Sequence, residues 1–200
     1  MDKYRSYQQL MMWEREGRDF SIHVRQGSSG LAVIAPHGGG IEPGTMELAE
    51  AIAGEVHSFY CFEGIKEAKN ADLHITSEYF NEPKAADIVK KSQTVLALHG
   101  CKGQEEVVYV GGRDAEKRER IGRCLAEAGF IVEPSPRPEI QGRSTNNICN
   151  RCRSGMGVQL EIASGLRRRM FEDLTRRGRQ MRMEAFHRFV SAIREAIPDG

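Results

Sequence analysis

The chain has 200 residues, enough for one substantial core, and its 29 basic and 28 acidic side chains nearly cancel, which argues against bulk binding to nucleic acid or to a membrane surface. Residues 1–16 are polar without an apolar signal-type segment, no apolar run is long enough to span a bilayer, and five scattered cysteines make no disulfide framework. These features predict one domain over residues 1–200, with no membrane contact, in a reducing, cytoplasmic setting.

Phe20 to Arg25 alternates apolar and polar side chains, as a half-exposed strand does, and the turn-forming residues 26–30 lead into the apolar run Leu31 to Ala35. The two strands are expected to pair as a hairpin. The second delivers His37 at its carboxyl end, where open α/β sheets place their ligands. Gly38, Gly39 and Gly40 then let the backbone turn back, which brings Glu42 towards the same point. Thr45 is a good N-cap for a helix with Leu48, Ile52 and Val56 on its inner face. Ser58 to Phe62 and Leu73 to Thr76 are expected strands, and Pro83 suits the first position of a helix through Lys91.

Thr94 to Leu98 forms another apolar run, and it too ends in histidine and glycine, His99 and Gly100. A strand from Glu106 to Val110 follows. Asp114 to Ala128 is a helix with Ile121, Leu125 and Ala128 on one face, stopped by Gly129. Residues 133–143 hold three prolines and are expected to be a loop. Val158 to Ile162 is the last strand, carrying Glu161 in an apolar context, and two helices close the chain, the final one with Met183, Phe186, Val190, Ile193 and Ile197 facing inward. The class is α/β, with a mixed, mostly parallel sheet flanked by helices.

Catalytic zinc commonly takes three protein ligands and leaves a fourth position for water, whose pKa it lowers to about 7. His37, Glu42 and His99 supply two imidazoles and a carboxylate, provided their strands are neighbours. Glu161, costly to bury ionised without a partner, suits a general base.

The segments His37 to Glu42, Leu73 to Ser77, Leu98 to Gly100, Asn147 to Arg151 and Gly157 to Ile162 occur in order between Ser21 and Leu166. Together they resemble the poly-γ-glutamate hydrolase family, associated with bacteriophages and prophage-derived bacterial genes. The resemblance implies a zinc-dependent peptidase with a zinc-carboxypeptidase-like fold that cuts the γ-glutamyl bond of a capsule polymer. It implies His37, Glu42 and His99 as ligands of one zinc ion and Glu161 as the base; a phage-encoded copy would be released by host lysis. Metallocarboxypeptidases space their first two ligands three residues apart, whereas His37 and Glu42 are five apart, so the loop here is shaped differently.

Each unit of poly-γ-glutamate keeps a free α-carboxylate, and guanidinium groups bind carboxylates through paired hydrogen bonds. Asn150 and Arg151, just ahead of the Glu161 strand, are the first choice for this contact and Arg143 the second. His74 and Thr76 take no assigned role, and His23, His57 and His187 are expected to be structural or exposed. Cys149 and Cys152 have a metal-like spacing, yet no second ligand pair follows.

A serine hydrolase could use His-Gly-Gly-Gly as an oxyanion hole, but the Gly-x-Ser-x-Gly elbow it needs is absent, and so is a dinucleotide-binding Gly-x-Gly-x-x-Gly after the strand. A rival of another class is a nucleic-acid-associated phage protein using Arg167, Arg168, Arg169, Arg176, Arg177, Arg179 and Arg182. Glu172 and Asp173 interrupt that run. Oligomeric state is left open.

Overall fold

A strand with apolar side chains on both faces has to lie between other strands, and the one beginning at Leu31 is buried along its whole length. The computed structural model describes residues 2–135 and 137–197. In chain order its elements are α1 (Tyr7–Leu10), β1 (Phe20–Arg25), β2 (Leu31–Gly39), α2 (Thr45–Ala53), β3 (Ser58–Gly64), α3 (Pro83–Lys91), β4 (Thr94–Cys101), β5 (Val107–Gly112), α4 (Ala115–Glu127), β6 (Ile131–Glu133), β7 (Val158–Ala163), α5 (Ser164–Met170) and α6 (Glu184–Ala196). The strands form one seven-stranded sheet in the order β1-β3-β2-β4-β7-β5-β6. Strands β3, β2, β4 and β7 run parallel, β1 and β5 lie antiparallel to β3 and β7, and β6 is parallel to β5. The sheet is therefore mixed and mostly parallel, as its sequence predicts.

Alternation along β2 divides the core. Leu31, Val33 and Ala35 face α2, α4, α5 and α6 with Leu48, Ile52, Ile121, Leu166, Phe186 and Ile193. Ala32 and Ile34 face the other side, with Leu10, Phe20, Phe62, Phe80 and Ile88. Each fully buried Leu, Ile, Val or Phe side chain among them contributes roughly 1.5–3 kcal/mol. Pro83 opens α3 behind the Glu82 cap, and Asp114 caps α4. Gly129, at φ +82°, ends it. Among the described residues no helix is long and apolar enough to cross a membrane.

Four expectations are corrected. The first two strands do not form a hairpin: β1 pairs antiparallel with β3, while β2 takes the inner side of β3. The 26–30 connection instead crosses the approach to β3, where Ser28 and Ser29 donate to the Val56 carbonyl. Thr45 is the first residue of α2 rather than its cap, its hydroxyl donating to the Glu42 carbonyl at 2.9 Å, and the helix ends before Val56. Leu73 to Thr76 is not a strand, because a tight turn over Asn70–Leu73 runs into an extended segment whose polar groups serve side chains rather than a ladder. Met183 precedes α6 and is exposed, although Phe186, Val190, Ile193 and Ile197 are buried as expected.

The 133–143 stretch is largely loop, with a short turn over Pro138–Ile140; its Pro136 lies outside the described residues. Glu133 closes β6, an exposed edge strand that carries little apolar signal.

Candidate metal centre

Pro36 breaks the ladder just where the site begins, because it has no N–H to give. Ala35 pairs with Cys61 and Gly38 with Glu63, so two residues of β2, Pro36 and His37, stand opposite Phe62 alone. This bulge re-aims the strand end that carries His37. A Cβ on Gly38 would come within 2.2 Å of the Cys61 sulfur, and Gly39 adopts φ +62°, so the return towards Glu42 needs glycine at both positions. The Glu42 N–H closes the loop on the His37 carbonyl at 2.9 Å.

Strands β2 and β4 are neighbours, which brings His99 to His37. Their Nδ1 atoms lie 3.1 Å apart. Glu42 reaches them with one oxygen 3.3 Å from His37 Nδ1 and the other 3.7 Å from His99 Nδ1. The Gly100 N–H donates to that second oxygen at 2.8 Å. On its far side, His37 Nε2–H donates to the Ile75 carbonyl at 2.8 Å, and His99 Nε2 lies 3.3 Å from the Ser77 hydroxyl. Because His37 Nε2–H donates outward, the His37 Nδ1 lone pair points inward, towards His99 Nδ1 and the Glu42 carboxylate. Ligands held at 2.0–2.1 Å by a tetrahedral ion lie roughly 3.3 Å from one another, close to the spacings here. His37, Glu42 and His99 therefore have the donor set and separations of a three-ligand divalent metal centre.

His37 and His99 are buried, and Glu42 is 13% exposed. Burial and the neighbouring His74 push His37 down to about 4, which favours the neutral imidazole a metal needs. Burial opposes ionisation of Glu42, yet the His37 and His99 rings outweigh it and hold the carboxyl well below the usual range. Burial also opposes protonation of His99, and the Glu42 carboxylate reverses that, raising it.

Glu161 stands on β7 in register with His99. It lines the same cleft, of about 300 Å³, together with His37, Glu42 and His99. It is 7% exposed, and burial pushes it up to about 7. Gln159 donates to its Oε1 at 2.9 Å and in turn accepts from Asn147 at 2.9 Å.

The structure does not bring the other expected contact residues into this cleft. The Asn150 amide donates to the Gly142 and Ser144 carbonyls, and its oxygen accepts from the Gly157 N–H, so the side chain ties loops together. Arg151 is likewise spent on the carbonyls of Glu78, Phe80 and Asn146. Arg143 is exposed and does not line the cleft. The cations that do line it are Lys102 and Arg137, which lie on loops without a motif of their own.

Cys149 and Cys152 are buried free thiols away from the centre, and burial keeps Cys149 protonated. His23 pairs with Glu63, His57 with Ser29, and His187 is exposed. Several arginines of the C-terminal run are committed internally. Arg167 is buried and donates to the Pro43, Cys101 and Ile162 carbonyls, Arg179 pairs with Glu47, and Arg169 with Glu106.

Sheet and cluster together define an α/β protein with a His-Glu-His cluster that could hold a metal ion at the carboxyl ends of its parallel strands. The chain belongs to the poly-γ-glutamate hydrolase family, whose model matches residues 4–192. The SPbeta prophage-derived UPF0714 protein YoqZ of Bacillus subtilis (strain 168) is 35% identical over 98% of this chain and 72% of its own length. The UPF0714 protein YmaC of the same strain is 38% identical over 90% of this chain and 76% of its own. A bacteriophage poly-γ-glutamate hydrolase superposes with a TM-score of 0.95 at 33% identity, covering 98% of this chain and 97% of that one. The zinc-free apo form of YndL superposes with a TM-score of 0.93 at 32% identity, covering 98% of each chain.

Proposed function

We propose that this chain is a zinc-dependent hydrolase of γ-glutamyl peptide bonds, with poly-γ-glutamate as its substrate. The observation that carries the proposal is the approach of two imidazole Nδ1 atoms to 3.1 Å, with a carboxylate beside both and their outer nitrogens engaged elsewhere. The family match supports the substrate, and the zinc-free form of a relative supports the ion. His37, Glu42 and His99 would hold the zinc.

When bound, zinc polarises the scissile carbonyl and makes water acidic enough to lose a proton near neutral pH. Glu161 takes a proton from the attacking water as the C–O bond forms. It returns that proton to the nitrogen as the C–N bond breaks, which releases the amine. A carboxyl poised at about 7 suits both transfers. Lys102 and Arg137, which line the cleft, face the free α-carboxylates of the polymer.

The test is chain length of poly-γ-glutamate incubated with the protein, with and without chelator, followed by zinc add-back. Shortening that stops with the chelator and returns with zinc is the expected result. An unchanged length in every arm refutes the substrate, and shortening that survives metal removal refutes the mechanism.

A further inference from the structure

The two ligand imidazoles lean on residues 74–77, a segment outside the sheet. Ile75 offers its carbonyl to His37 and Ser77 its hydroxyl to His99, while the His74 ring lies against His37 with centroids 4.0 Å apart. One short loop thus orients both imidazoles, and ligand orientation of this kind governs metal affinity. What keeps the loop in place is itself a functional question.

Its downstream end is tied by Arg151, whose guanidinium reaches the Glu78 carbonyl at 2.6 Å and the Phe80 carbonyl at 2.8 Å. The other end is held from far away in sequence. The Asp2 carboxylate accepts from His74 Nδ1–H at 2.9 Å, from the Thr76 N–H at 2.6 Å and from the Thr76 hydroxyl at 2.7 Å. Three donors from two residues converge on one carboxylate, and the residue between them is Ile75, the partner of His37. Hydrogen bonds to an ionised acceptor are the stronger kind.

We propose that Asp2 is a positioning residue for the metal centre, pinning the 74–77 loop against the ligand imidazoles. This rests on the assignment of His37, Glu42 and His99 as the metal site. Asp2 touches none of the three ligands; it acts through His74 and Thr76. Without it, the loop keeps its Arg151 tether but loses the hold on either side of the Ile75 carbonyl, so His37 is no longer fixed in one orientation.

The test is the zinc affinity of the whole purified chain, by competition with a chromophoric chelator, with the unfolding temperature of the metal-free protein measured alongside. Asp2→Ala should weaken zinc binding on the order of tenfold. Thr76→Val should weaken it less, and should add nothing in the Asp2→Ala background because both act through one carboxylate. Ser6→Ala, which removes the α1 cap in the same N-terminal segment, should leave affinity at the wild-type value. Equal affinity in Asp2→Ala and wild type overturns the proposal, as does an equal loss in Ser6→Ala, which would mark general loosening of the segment. If the wild type itself takes up no zinc, the metal site falls and this proposal with it; if the wild type binds and Asp2→Ala binds as well, the pin alone is refuted.

Discussion

Replacing Gln159 by Met keeps the side-chain length and removes the amide that sits between Glu161 and the protein interior. The direction of that amide is dictated from the backbone. The Cys149 N–H can only donate, so it fixes the Asn147 oxygen; the Asn147 NH2 then donates to Gln159 Oε1, and the Ile140 carbonyl, an acceptor only, takes one Gln159 proton. The remaining Gln159 proton must go to Glu161, at 2.9 Å. A hydrogen bond to an ionised group contributes about 1.5–3 kcal/mol, which at 1.36 kcal/mol per pH unit makes the Glu161 carboxylate harder to ionise by about one to two pH units when the donor is lost. On the acid side of the Glu161 titration the ionised share then falls roughly 10- to 100-fold.

The assay is kcat/KM for poly-γ-glutamate against pH at full zinc occupancy. The acid limb should move to higher pH by that amount and the rate should recover at alkaline pH. Asn147 and Ile140 are left short of a partner, at about 1–3 kcal/mol each, so unfolding in urea is measured in parallel. An unmoved acid limb refutes the assigned link between Gln159 and Glu161. So does a loss of rate that is equal at every pH.

Other predictions follow from other contacts. Arg167→Met, which deprives the buried Cys101 and Ile162 carbonyls and the partly buried Pro43 carbonyl of their donor, should destabilise the fold by about 3 kcal/mol or more in urea unfolding; a change under about 1 kcal/mol would contradict the clamp. His23 is raised above 6.5 chiefly by its hydrogen bond to Glu63, so its contribution is complete below about 6.5 and fades as pH rises through the raised value. Stability of His23→Gln should therefore depend less steeply on pH across that window, and an identical slope would refute the pairing. Arg137→Ala and Lys102→Ala should each raise KM about 2- to 5-fold with kcat unchanged, and kcat losses without a KM change would remove them from substrate binding.

The sequence made much of the centre legible because two apolar runs ending in histidine and glycine can hardly be anything but buried strands with a side chain at the ligand end. Glu161 was visible for a related reason, as a carboxylate in an apolar strand. The loop 74–77 was visible as a motif but not as a role, since its meaning depends on Asp2, remote in sequence, and on backbone carbonyls that carry no residue signature.

Asn150 and Arg151 misled because a polar residue beside a catalytic strand has the same letters whether it faces a cleft or ties down a loop. Arg167 was hidden in a basic run most of whose other members are exposed, although α5 turns that side chain inward and Arg179 is buried as well. The β1–β3 pairing was missed because local turn chemistry says nothing about the strand that arrives 30 residues later; β6 was missed because its side chains are mostly exposed.

The central claim is that a carboxylate beside the metal moves the proton while three other side chains hold the ion. It is tested most directly by Glu161→Gln, with bound zinc and poly-γ-glutamate turnover measured on the same preparation. One zinc per chain with turnover reduced about 10²- to 10⁴-fold is the predicted result. One zinc per chain with wild-type turnover would contradict it.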